Sequence, residues 1–108
     1  MIDKNMDKDL LKIIEFYGAM PQLKYLQSEV FELDEAIINH ELKESVEYEI
    51  PLSEIIGAKE HIAEEIADCL VMLMQFKEYY HIDGKQIMKI MREKIDRQLD
   101  RIEKEKNK

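Results

Sequence analysis

Only three glycines and two prolines interrupt 108 residues, and hardly any turn dipeptides occur. A chain that poor in backbone punctuation, and rich in Ala, Leu, Ile, Met, Glu, Lys and Gln, is expected to be all-α rather than sheet. Cysteine is equally scarce: Cys69 stands alone, so no disulfide can close within the chain, and a buried thiol in a reducing compartment is the expectation. No apolar run approaches the roughly 20 residues of a membrane span. The opening stretch MIDKNMDKDLLK carries acidic residues and no small-residue cleavage site, so a cytoplasmic protein without a membrane partner is expected. Positive charge is the last shortage, with 16 Lys and Arg against 24 Asp and Glu and a net charge of −8. Backbone-driven nucleic-acid binding needs a basic face, so no nucleic-acid partner is expected. Anionic ligands carried by a divalent ion are not excluded, because the ion inverts the local sign of an acidic pocket.

A 45% hydrophobic content over this length suits one domain, 1–108, with one core. Four helices are expected, at about 7–17, 21–42, 58–80 and 84–104. In the first, Leu10, Leu11, Ile13, Ile14 and Tyr17 make an apolar stripe that Gly18 ends. Pro21 suits the first turn of the second, where Leu23, Leu26, Val30, Leu33 and Ile37 follow at steps of three and four, the spacing of a packed seam. Residues 43–57 mix charge with Tyr48, Pro51 and Gly57 and read as a connection, with a helical turn starting near Ser53. The third helix is the most hydrophobic, through Ile62, Ile66, Leu70, Leu73 and Phe76, and belongs at the centre. Asp83, three residues before Gln86, resembles a capping box for the fourth, whose apolar side is Ile87, Met91, Ile95, Leu99 and Ile102. The apolar residues on more than one side of the third helix call for a second subunit.

Two acidic pairs sit within these apolar stripes. Glu29 and Glu32 in SEVFELDEAI, and Glu65 and Asp68 in EEIADCL, are each three apart, which puts both carboxylates of a pair on one helical face with Cβ atoms about 5–6 Å apart. Four such groups from two adjacent helices would supply the hard oxygen ligands of Mg²⁺ or Mn²⁺. Solvated helix edges are the other reading, since acidic residues are abundant throughout. The three histidines, His40, His61 and His81, stand near helix ends, and Phe16, Tyr17 and Tyr25 suit core packing better than base stacking.

EVFELDEAI followed by EEIADCLVML resembles the E-x-x-E and E-x-x-D motifs of the MazG-like branch of the all-α nucleoside triphosphate pyrophosphatase superfamily, over the second to fourth helices. The resemblance implies a four-helix MazG-like bundle that assembles as a homodimer or homotetramer. It also implies Mg²⁺-dependent hydrolysis of a nucleoside or deoxynucleoside triphosphate to the monophosphate and pyrophosphate. Glu29, Glu32, Glu65 and Asp68 match the family's metal ligands, and Glu32 is the residue we assign to orienting and deprotonating water. Glu35 and Glu64 fall outside the tetrad. The family's final helix carries a Lys, usually an Asn four residues on, and an Arg three further, the cationic residues reaching phosphate oxygens; Lys94, Gln98 and Arg101 occupy those positions here as candidate phosphate-binding residues, with Gln98 in place of Asn. Phosphoribosyl-ATP pyrophosphatase and dimeric dUTPase-like activities share the acidic helices, and a non-catalytic helical adaptor is the rival from another class.

Overall fold

The structure, a computed structural model, describes residues 4–44 and 51–108. Four helices follow one another, α1 (Lys4–Tyr17), α2 (Ala19–Glu44), α3 (Leu52–Tyr79) and α4 (Gly84–Lys106), and no strand occurs among the described residues. None of these helices is long and apolar enough to cross a membrane.

Gly18 joins α1 to α2 alone. Its N–H donates to the Ile14 carbonyl at 2.8 Å and closes α1, while its own carbonyl accepts from the Gln22 N–H at 3.2 Å and opens α2. Gly18 turns the chain between the two helices with a φ of +93°, in the left-handed region that glycine enters without a Cβ penalty. Pro21 falls in the first turn of α2, where a missing N–H has no intrahelical partner to lose.

The 43–57 connection is much shorter than its composition suggests. Lys43 and Glu44 remain in α2, and α3 begins at Leu52, six residues before the expected start. Pro51 fixes an extended backbone (φ −55°, ψ 138°), and its carbonyl accepts from the N–H groups of Glu54 and Ile55, which makes it the opening residue of the helix. Gly57, taken above as part of a break, lies within α3. Residues 45–50, including Tyr48, lie outside the described residues.

Helix α3 is central, as its composition predicts: α1 and α2 both pack on it, and more lightly on each other. The buried apolar side chains are few, Leu10 and Ile14 from α1, Ala36 from α2, and Cys69 and Met72 from α3. Between α2 and α3 many inward positions are polar: Gln22, Glu29 and His40 on one helix, Glu65 and Gln75 on the other, beside Ala36, Cys69 and Met72. The expected apolar seam is therefore rotated. Leu23, Val30 and Ile37 stand exposed one residue beyond Gln22, Glu29 and Ala36, and Ile66, Leu70 and Leu73 stand exposed one residue beyond Glu65, Cys69 and Met72. Phe16, Tyr17 and Tyr25 are exposed as well, against the expectation of core packing.

The expected four-helix bundle is met in helix number but not in the packing of a single chain. Helix α4 buries none of its residues, and the extensive helix packing among the described residues is that of α1, α2 and α3. The turn before α4 explains this. His81 adopts φ 56°, its N–H donates to the Glu78 carbonyl, and the Ile82 N–H reaches back to the Lys77 carbonyl at 3.0 Å, a Schellman arrangement with histidine where glycine is usual. Asp83 then caps α4, accepting from the Lys85 N–H at 3.0 Å. Two closed motifs in succession thus set the direction in which α4 leaves α3.

Candidate metal centre

Helices α2 and α3 run antiparallel, and their contact has three polar layers. At one end Gln22 Nε2 donates to Gln75 Oε1 at 2.8 Å, and Gln75 Nε2 in turn faces Met72 Sδ at 3.6 Å. In the middle, Glu29 of α2 meets Glu65 and Asp68 of α3. At the other end, Ala36, Asn39, His40 and Lys43 of α2 face Glu54, Gly57, Ala58 and His61 of α3 across a cavity of about 370 Å³.

The middle layer holds the acidic motifs. Glu29, Glu65 and Asp68 each place a carboxylate oxygen within 4.8 Å of the others. Glu29 and Glu65 are only 8% and 7% exposed, which matters because each has an Oε2 atom that is buried and has no hydrogen-bond partner. Buried carboxylate oxygens are ordinarily satisfied, since losing water without gaining a donor costs free energy. His61 Nε2 lies 3.9 Å from Glu65 Oε1, too far for a hydrogen bond.

Burial pushes both glutamates above the ordinary carboxylate range. For Glu29, the charges of Asp68, Glu32 and Glu65 add to the desolvation. For Glu65, desolvation is followed by the charges of Glu32 and Asp68, with His61 opposing them. The principal charges on both groups thus come from α2 and α3, and no lysine or arginine of α4 is among them. Cys69 sits beside the cluster, and burial together with the charges of Glu29, Glu65 and Asp68 pushes its thiol up, so it stays protonated.

Of the expected tetrad, Glu29, Glu65 and Asp68 come together. Glu32 stands exposed one turn beyond Glu29, outside the close trio but near enough for its charge to act on both buried glutamates. Lys94, Gln98 and Arg101 are exposed on α4, and a single chain does not pack that helix against the cluster. The cavity is the feature that periodicity did not single out. A sign of it exists: Glu29, Ala36 and His40 are spaced by seven and four residues, which continues the inward face of α2 from the carboxylates to the cavity.

Comparison of this chain with protein-family models, with curated proteins and with solved structures gives no match.

Proposed function

We propose that this protein is a Mg²⁺-dependent nucleoside triphosphate pyrophosphohydrolase of the MazG-like kind. It would convert a nucleoside or deoxynucleoside triphosphate to the monophosphate and pyrophosphate in the cytoplasm, as nucleotide-pool housekeeping, with a homodimer or homotetramer as the working form. The reading is carried by the two buried, partnerless oxygens of Glu29 and Glu65 beside Asp68. Carboxyl groups gathered out of water, with an Oε2 on each buried glutamate left unpartnered, are suited to a cation, and three such groups from two helices suit Mg²⁺, or Mn²⁺ in its place.

Glu29, Glu65 and Asp68 are the residues that would hold the ion. Bound there, it supplies charge neutralisation for a triphosphate and a lowered pKa for water. Glu32, exposed at the rim of the cluster, keeps its oxygens free to orient a water molecule and accept its proton. Lys94 and Arg101 would neutralise phosphate oxygens, and the Gln98 amide would donate to one. His61 links this layer to the neighbouring cavity, whose lining of amide, imidazole and small side chains could take up the nucleoside end of the substrate.

The test is a pyrophosphate-release screen over ordinary and modified nucleoside triphosphates, including dUTP, and over phosphoribosyl-ATP. We expect release that requires Mg²⁺ and falls at least about 100-fold in Glu65→Gln or Asp68→Asn, as loss of a ligand removes electrostatic stabilisation. The substrate profile separates the related phosphoribosyl-ATP and dUTPase-like activities. One observation favours the adaptor reading, the broad exposed apolar surface of α2, α3 and α4; it gains if no substrate is hydrolysed and no divalent ion binds.

A further inference from the structure

The start of α3 at Leu52 changes the standing of His61. A helix beginning near residue 58 would leave that side chain in its first turn, whereas in α3 it lies about two and a half turns inside. There Glu54, Ala58, His61, Glu65 and Asp68 follow at alternating steps of four and three, so all five share one stripe. Glu54, Ala58 and His61 line the cavity, while Glu65 and Asp68 belong to the carboxylate trio. His61 is therefore the point on α3 where the cavity meets the trio.

Glu65 offers a different oxygen to each side of that boundary. Its Oε1 faces His61 Nε2 at 3.9 Å, and its Oε2 is buried without a partner. Two donors bound to one ion at about 2.1 Å stand about 3.0 Å apart at adjacent corners of an octahedron and about 4.2 Å apart at opposite ones. The distance between Nε2 and Oε1 is too long for a hydrogen bond and falls inside that window. An ion between the two atoms would need no movement of the backbone. The His61 side chain is 58% exposed and borders the cavity, so the ring also has room to turn toward the other carboxylates.

A nitrogen donor changes what the centre selects. Carboxylates alone are hard ligands and suit Mg²⁺, whereas imidazole is the softer ligand that suits transition-metal ions. Side chains four apart on a helix are spaced to reach a single ion, as two histidines do in helical zinc sites. Cys69, a second soft donor nearby, stays outside the close group of ligand atoms.

We infer that His61 is a nitrogen ligand of the ion that Glu65 helps to hold, which makes the centre a mixed nitrogen and oxygen site that prefers Co²⁺ or Zn²⁺ to Mg²⁺. Mg²⁺ can still occupy the oxygens alone. The inference rests on the metal-binding part of the proposed function and is independent of the hydrolysis.

The test uses the full chain stripped with EDTA. Pulsed EPR of the Mn²⁺-loaded wild type should show the ¹⁴N coupling of a directly bound imidazole, and His61→Gln should abolish it. By calorimetry, His61→Gln should weaken Co²⁺ at least about 10-fold and Mg²⁺ less than about 3-fold, with helicity unchanged because the side chain is largely exposed. Mn²⁺ bound without nitrogen coupling would overturn the inference and leave an all-oxygen metal site standing. Coupling that persists in His61→Gln would assign the nitrogen to another histidine, and a cobalt–sulfur charge-transfer band that survives in it would assign the soft donor to Cys69; either would overturn the role of His61. A wild type that binds no divalent ion would refute the metal site itself. Nitrogen coupling without pyrophosphate release would refute the hydrolysis and leave His61 as a ligand.

Discussion

Gln22 on α2 and Gln75 on α3 share a 2.8 Å hydrogen bond in a layer where both side chains are buried, and seven residues further along α2 the equivalent inward position is Glu29, whose Oε2 has no such partner. The same helix pair thus contains a satisfied polar layer and an unsatisfied one. The first layer is internally satisfied, and the second is the one to which the proposed function assigns an ion.

Replacing one member of the glutamine pair should strand the other. Gln75→Leu should cost about 1–3 kcal/mol, the penalty of a buried polar group left unpaired. Gln22→Leu/Gln75→Leu should recover most of that loss, because removing both partners leaves no orphan. Denaturant melts of the two variants check this, and equal losses in both would contradict it.

The two left-handed residues should respond in opposite directions to substitution. Gly18→Ala should destabilise by about 1–2 kcal/mol, because its φ of +93° is strained for any residue with a Cβ. His81→Gly should stabilise by about 1 kcal/mol, relieving φ 56° at the Schellman position, and raise Tm by about 4–8 °C. Thermal melts at one protein concentration measure both.

Without divalent ion, the cluster should make stability fall as pH rises. Burial and mutual repulsion raise Glu29 and Glu65 in the folded state, so the native protein binds their protons more tightly than the unfolded chain does. With fewer protons bound in the unfolded state, the slope of stability with pH is negative. Their contribution is complete below the ordinary carboxylate range near pH 4.5 and is lost as pH climbs through the raised folded values. Melting temperatures between pH 5 and 8 in EDTA, compared with those of Glu29→Gln/Glu65→Gln, isolate this part. The wild type should lose more than the variant, and parallel curves would contradict the assignment.

The helices and the acidic trio were legible in the sequence, and the direction in which faces point was not. Apolar spacing locates a stripe such as Leu23, Val30 and Ile37 but does not say what covers it, and in one chain those residues are exposed while Gln22, Glu29 and Ala36 turn inward. The i, i+3 spacing brought out Glu29, Glu65 and Asp68, yet it weighted Glu32 equally, although the trio closes without it. Pro51 marked a helix start that composition disguised as a loop, because a proline that ends one pattern can equally open the next. The orientation of α4 depends on a left-handed histidine, and only a backbone angle reveals that.

Calorimetric titration of the EDTA-stripped protein with Mn²⁺ and Mg²⁺ measures most directly whether the buried carboxylates take up a divalent ion. The wild type should bind with release of protons, and with more release as the pH is lowered, since Glu29 and Glu65, whose carboxyls are raised, must ionise to coordinate. Glu29→Gln/Glu65→Gln should lose at least about 100-fold in affinity while gaining stability in EDTA, because the repulsion that strains the free site is gone. A wild type that binds neither ion, or a double variant that binds both as tightly, would contradict the central claim.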